Sequence, residues 1–324
     1  MEQNSCELSF RHISKVTDES LAYINARRKG TSKSLKTRWS KFNRMCMGGI
    51  EPNVITTIAG GSGSGKSAFV NTLETDLIDL NPNQEIVILS FSFEMMSYRQ
   101  IGRKISNKLR QTTSELYSAE TKLDDSSYEK VKTVTEEIKN YPIYYVDTPG
   151  TVTQIEETIK KFYKDIVRDR WFVITLDHTL LVDGFDERKT LVELEKMLIR
   201  IKKYPMTSII QIAQLNRNIE QPERINNPTA HYPMRSDLSA SDAMYQASDY
   251  IAVIMRPELN NIQSYVPQHL PVRDKIYMHV IKNRDGGTVG ILEFNNGLAY
   301  GDFLEPEQQQ VEVQNNKQIK AEKQ

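Results

Sequence analysis

Residues 54–70, "VITTIAGGSGSGKSAFV", run from an apolar, β-branched stretch through a turn of small residues into a second segment that opens at Lys66. A stretch as poor in side chains as Gly60 to Gly65 cannot hold a core together, so its task is to bring backbone close to a ligand. It fits G-x-x-x-x-G-K-[ST], the phosphate-binding P-loop, and stands after a strand and before a helix, the context that pattern requires. Gly61, Gly63 and Gly65 let the backbone turn its N–H groups inward around a β-phosphate. Lys66 supplies a point charge between β- and γ-phosphates, and the Ser67 hydroxyl can ligate Mg²⁺. The nucleotide-contacting set is therefore Gly60, Gly61, Ser62, Gly63, Ser64, Gly65, Lys66, Ser67 and Ala68.

From Val54 onward strands and helices alternate. "VITTIAG", "EIVILSFS", "YPIYYVD", "WFVITLD" and "SIIQIAQ" read as buried strands. "KSAFVNTLETDLIDL", "SYRQIGRKISNKL", "TVTQIEETIKKFYKDI" and "ERKTLVELEKMLIRIKKY" read as the helices between them. Continuous apolar strands separated by amphipathic helices predict an α/β fold, with a mostly parallel sheet flanked by helices on both faces. "DYIAVIM", "KIYMHVIKN" and "TVGILEFN" follow without a long helix and are expected as an antiparallel extension. Ahead of all this, "TDESLAYINARR" at 17–28 predicts a short helix capped by Thr17 or Asp18 and broken by Gly30. The expected organisation is an arm and linker helix at 1–34, one compact α/β domain at 35–304 and a disordered polar tail at 305–324.

Composition excludes several classes. No apolar run approaches the ~20 residues that cross a bilayer, and "MEQNSCELSF" lacks a signal pattern. Cys6 and Cys46 are the only cysteines and have no metal-like spacing, which fits a reducing cytoplasmic setting. A formal net charge of +0 excludes a surface coated in positive charge, so nucleic acid would have to be held by locally placed cations.

P-loops serve several chemistries, and the accompanying carboxylates discriminate among them. "VDTPG" at 146–150 is similar to the Asp-x-x-Gly switch of a GTPase, but no Asn-Lys-x-Asp guanine-recognition segment accompanies it. Asp177, delivered by the apolar strand "WFVITLD", is the better Mg²⁺-side carboxylate. Glu94 in "FSFEM" also ends an apolar strand, expected beside the P-loop strand, where it can orient and polarise an attacking water. Gln214 in "IIQIAQLNR" can hydrogen-bond a γ-phosphate from a third strand end. Polar residues at several strand ends mark the edge where ligands gather in such sheets.

Together these motifs resemble one family, the C-terminal motor domain of DnaB-type replicative DNA helicases, a hexameric branch of the RecA-fold ATPases. "GGIEPNVITTIAGGSGSGKS", "SFEM" with Arg103 downstream, "IYYVDTPGTVTQIE", "LDHTLLVDG", "AQLNRNIE", "MRSDLSASDAMYQASDYIAVIMRPE" and "IKNRDGGTVGILEF" follow one another in the family's order across roughly residues 12 to 300. The resemblance implies a RecA-like fold, MgATP held by Lys66 and Ser67, Glu94 activating water, Asp177 supporting Mg²⁺ and Gln214 sensing the γ-phosphate. It further implies that Lys282 and Arg284 reach the γ-phosphate held by a neighbouring subunit of a hexameric ring. The helix at 17–28 would dock on that neighbour.

The chain also departs from the family. His178 stands where tyrosine is usual, and Ser239, Ala240 and Asp242 replace the customary arginine, glutamate and glycine of the DNA-contacting loop. Ser239 and Ala240 could still offer backbone N–H groups to DNA, with Arg188, Lys189 and Arg235 as compensating cations. The resemblance implies single-stranded or forked DNA as partner, 5′ to 3′ movement, and a primase and a helicase loader as further partners. The short architecture suggests a phage or plasmid replication protein acting in its host's cytoplasm. Two other classes remain open on the residues alone: a recombinase-like ATPase that assembles on DNA without unwinding it, and a non-enzymatic assembly protein that kept the motor fold.

Overall fold

The computed structural model describes residues 9–32, 34–238, 241–285 and 289–306. The chain divides into two compact units, Met1–Ser34 and Leu35–Gln324. The first contains α1 (Ile13–Lys29), which none of its own residues anchors in a core. It begins four residues before the expected start, because the His12 side chain accepts the Ser14 N–H and caps it. Thr17, expected as the cap, instead donates its hydroxyl to the Ile13 carbonyl at 2.8 Å. Gly30 ends the helix in the left-handed region at φ 69°.

The second unit is built on one nine-stranded sheet. Its strands are β1 (Ile55–Gly60), β2 (Ile86–Ser92), β3 (Ile143–Val146), β4 (Trp171–Asp177), β5 (Thr207–Gln214), β6 (Tyr250–Met255), β7 (Lys275–Asn283), β8 (Gly290–Gly297) and β9 (Asp302–Leu304). They lie in the order β3-β2-β4-β5-β1-β6-β7-β8-β9. The strands from β3 to β6 are parallel, and β7, β8 and β9 are antiparallel. Two expectations are corrected here. β6 does not open the antiparallel extension but runs parallel to β1, because the chain first returns across the sheet through α10 (Ser241–Ala247). β2, which leads to Glu94, is separated from β1 by β4 and β5.

Helices α2 (Ser40–Met45), α3 (Lys66–Asp79), α4 (Ser97–Leu109), α5 (Thr113–Tyr117), α6 (Asp125–Ile138), α7 (Val152–Phe162), α8 (Glu187–Ile201) and α9 (Pro222–Ile225) complete the elements. Strand alternation sorts the apolar residues to two faces. Ile86, Ile88 and Val173 join Phe69 and Leu73 of α3 on one face, while Val87, Leu89, Phe172 and Ile174 meet Ile155 of α7 and Leu194 of α8 on the other. Trp39 ties the chain's early and late segments together: it stacks on Phe69 at 4.0 Å between ring centroids and donates its indole N–H to the Phe303 carbonyl at 2.8 Å. Glu305, placed in the tail on sequence grounds, is buried and accepts from the Ser40 and Lys41 N–H groups; residues 307–324 and Cys6 lie outside the described residues. Burial pushes the Cys46 thiol up to about 12, so it behaves as a small apolar residue.

A buried polar line crosses under the sheet. Gln211 on β5 donates through Nε2 to Glu195 of α8 at 3.3 Å and to the Thr57 hydroxyl of β1 at 3.0 Å. Thr57 in turn lies 2.6 Å from the Ser248 hydroxyl, just past α10. Burial raises the Glu195 carboxyl to about 7. Because its folded-state value lies above the ordinary carboxylate range, the stability tied to the bound proton is complete in acid and is lost as pH rises through about 7. Glu195→Gln should therefore gain on the unsubstituted protein as pH rises, by up to ~3 kcal/mol of unfolding free energy between about pH 5 and pH 8. Parallel stability profiles for the two proteins would contradict this.

Candidate nucleotide-binding site

The parallel strands end at one edge, and the expected residues Lys66, Ser67, Glu94, Asp177 and Gln214 meet there. Gly60 closes β1 in a space that admits no side chain: a Cβ would sit 2.4 Å from the Ser64 hydroxyl oxygen and 2.7 Å from the Ile254 carbonyl oxygen. Gly65, at φ 101°, caps α3 in the left-handed region. The Lys66 ammonium is buried and donates to the Gly61 carbonyl at 2.8 Å, and Arg256 donates to the Gly63 carbonyl at 2.9 Å. Beyond the loop opens a cavity of about 380 Å³, lined among others by Lys66, Ser67, Glu94, Arg103, Gln214 and Arg256. Leu298, Ala299 and Gly301, from the turn between β8 and β9, also line it, with Leu298 packed against Gly65.

Asp177 ends β4 opposite Ser92 on β2. Burial pushes its carboxyl up to about 6, and nearby Glu94 pushes the same way. Hydrogen bonding from Ser67 and the charges of Lys66 and Arg103 pull against that rise. Its Oδ1 is buried with no hydrogen-bond partner. A desolvated carboxylate with an open oxygen, near a hydroxyl at the start of the P-loop helix, suits a hard divalent cation. Ser67 and Asp177 are thus the residues that would hold Mg²⁺, whose contribution when bound is to neutralise charge on the β- and γ-phosphates.

Glu94 is exposed to the cavity, two residues past β2. Its turn is fixed from behind. The Ser92 hydroxyl donates to the Met95 carbonyl at 2.7 Å, Gln100 donates to that hydroxyl at 3.0 Å, and Asp147 accepts the Ser97 N–H at 3.1 Å. Asp147, the residue that resembled a GTPase switch, therefore caps α4. Gln214 pairs with Gly60 across the β5–β1 ladder and meets His178 at 3.2 Å. His178 accepts the Leu180 N–H at its Nδ1, and burial lowers its basicity. The neutral ring therefore carries its proton on Nε2; the atom placed 3.2 Å from it is the Gln214 Nε2, so we assign the amide the reverse way round, with its oxygen accepting from His178. That leaves the Gln214 NH₂ group to donate into the cavity.

The remaining expected residues lie elsewhere. Lys282 pairs with Ile251, and the Arg284 N–H bonds to the Asp249 carbonyl, so both sit where the parallel strands begin. Gly60 pairs with Ile254, three residues and about 10 Å further along the same strand than Ile251. Neither cation lines the cavity of its own chain. Burial, with Arg284 nearby, lowers the Lys282 ammonium to about 8. Arg188, Lys189 and Arg235 are exposed, and Ser239 and Ala240 lie outside the described residues. Arg256 went unrecognised in the sequence, although it directly follows an apolar strand, as Glu94 nearly does.

The sequence matches the DnaB-like helicase C-terminal domain over residues 34–302. The chain belongs to that family. Its fold is shared by a solved ATPase domain, at a TM-score of 0.74 and 20% identity, covering 89% of this chain and 98% of that one. It is shared also by the structure of a DnaB-like replicative helicase described with its interactions with primase, at a TM-score of 0.72 and 19% identity, covering 92% of this chain and 67% of that one. No curated protein matches the sequence significantly. Among the described residues, no helix of this DnaB-like domain is long and apolar enough to cross a membrane. The RecA-like architecture of the family accounts for the sheet order, and its P-loop cavity generates a direct test. Glu94→Gln should bind ATP within about twofold of the unsubstituted protein while turnover falls by roughly 10²-fold or more. Equal turnover in both would remove Glu94 from the chemistry.

Proposed function

We propose that this protein is an ATP-driven, ring-forming replicative DNA helicase. The observation that carries the reading is the placement of Lys282 and Arg284 where the parallel strands begin, about 10 Å along β6 from the residue that pairs with Gly60. Cations that cannot serve the cavity of their own chain can serve that of a neighbour, and a ring supplies every cavity with one. In this reading Lys66, Ser67 and Asp177 hold MgATP, and Glu94 accepts a proton from the attacking water. Gln214 donates to the γ-phosphate, while Lys282 and Arg284 arrive from the adjacent protomer and stabilise the charge that develops. Arg103 and Arg256 add positive charge to the same cavity. The amphipathic helix α1 would dock on the adjacent protomer.

The DNA side of the reading rests on helix direction. α8 precedes β5 and α10 precedes β6, so both run against their strands and start at the edge that carries the P-loop. The two helices pack on each other. Arg188 and Lys189 at the start of α8 therefore lie at the same edge as the segment from Arg235 to Leu238, whose Arg235 pairs with Asp242 in the first turn of α10. The nucleotide edge is tied to that segment: Leu215, directly after Gln214, bonds to the Gly60 carbonyl and bridges to Leu238. Single-stranded DNA in the ring's pore would meet this surface. The family favours 5′ to 3′ movement and partnership with a primase and a loader.

Fork unwinding, with the mass of the active assembly measured in parallel, tests the reading. With MgATP the protein should form hexamers and separate a forked duplex. Intact forks at saturating MgATP would overturn it.

A further inference from the structure

Tyr245, on α10, touches both of the cation groups discussed above. The Lys282 ammonium lies 4.7 Å from the centroid of its ring, and the Arg235 guanidinium 4.8 Å from the same centroid. Lys282 also donates to the Tyr245 carbonyl. Arg284 donates to the Gln246 carbonyl at 2.6 Å and the Ser248 carbonyl at 3.2 Å, and pairs with Asp249 at 3.1 Å. The C-terminal end of α10 is thus held by the two cations expected to serve a neighbour. Arg235 reaches the same helix from the other side of the sequence, pairing with Asp242 in its first turn at 2.6 Å.

The strand that carries Lys282 is shaped for this contact. Pairing between β6 and β7 runs Ile251 to Lys282 and then Ala252 to Val280, so Ile281 is an extra residue. Such a bulge bends the strand and re-aims the side chains around it. The carbonyls at the end of a short helix have no intrahelical partner and favour cations. Lys282 and Arg284 satisfy them here. An ammonium or guanidinium that swings across an interface to a phosphate moves out of hydrogen-bond reach of these carbonyls and gives them up.

We propose that Tyr245 is a positioning residue that couples the nucleotide held by one protomer to Arg235 on the DNA-facing side of the next. This rests on the ring reading of the preceding subsection. When Lys282 and Arg284 engage a γ-phosphate across the interface, they release the end of α10. The ring of Tyr245 then interacts with Arg235 alone, and α10 can shift together with the Arg235 that pairs with its first turn. When the phosphate leaves, the two cations return and restore the arrangement described. The helix has two alternative sets of partners, and nucleotide state selects between them.

The test is the affinity of the full chain for fluorescein-labelled oligo(dT), measured by anisotropy with a non-hydrolysable ATP analogue and again with ADP. The ratio of the two dissociation constants reports the coupling, and linkage makes it independent of the turnover rate. The unsubstituted protein and Tyr245→Phe, which keeps the ring, should give a ratio of roughly fivefold or more. Tyr245→Leu should bring the ratio close to one while binding of the ATP analogue is unchanged. Tyr245→Met carries the same expectation should the leucine variant fail to fold. A ring-less variant that keeps the full ratio would overturn the proposal and leave the helicase reading standing. Absence of oligo(dT) binding by the unsubstituted protein would instead overturn the helicase reading, and this proposal with it.

Discussion

Strand direction governs this molecule. Six parallel strands end at one edge and deliver to it the glycine turn, Glu94, Asp177, Gln214 and Arg256. Charge collects there because each strand end presents a polar residue to space that the helices leave open. The seventh strand in sheet order runs the other way. It therefore carries Lys282 and Arg284 to the opposite edge, out of reach of the cavity of their own chain. One reversal of direction separates the groups that bind a nucleotide from the groups that would complete its site.

The edge holds its geometry through contacts made beneath it. The Lys104 ammonium of α4 is buried and pairs with Glu74 of α3 at 2.9 Å, and Glu74 also accepts from the Thr175 hydroxyl of β4. Asn71 of α3 donates to the Gln100 side chain at 2.7 Å, and Gln100 reaches Ser92 behind the Glu94 turn. Buried polar groups are costly when unpaired, so such a network admits few arrangements. It ties the P-loop helix, the Glu94 turn and the Asp177 strand to one another. The atoms left unpartnered at the top of it, Asp177 Oδ1 and the Ser64 hydroxyl, lie beside or within the phosphate loop.

Much of this was legible in the residues, and the misses have physical causes. β4 and α4 fall on the expected residues 171–177 and 97–109, since one is a continuous apolar run and the other an amphipathic stretch with clear breaks. α6 escaped although Tyr128, Val131, Val134 and Ile138 recur at helical spacing, because that stripe is thin and only Ile138 is buried. α5 is five residues long, though Thr112 and Glu115 form the capping box that announces it. The direction of β6 could not be read, because a strand buried on both faces looks the same whichever way it runs. The same blindness placed Glu94's strand beside β1, when two strands lie between. Gln214 was visible as a strand end, but its orientation by His178 depends on a tautomer set by the Leu180 N–H. Such information arises only when two strand ends distant in the sequence are folded together.

The central claim is that each nucleotide site is assembled from two protomers, and mixing tests it directly. Lys66→Ala removes the cradle and leaves the far-edge cations, whereas Arg284→Ala does the reverse. Each variant alone should hydrolyse ATP poorly. Mixed and allowed to reassemble, they should regain turnover, because some interfaces then pair an intact P-loop with an intact Arg284. Full turnover by Arg284→Ala on its own, or a mixture no more active than its parts, would contradict the account.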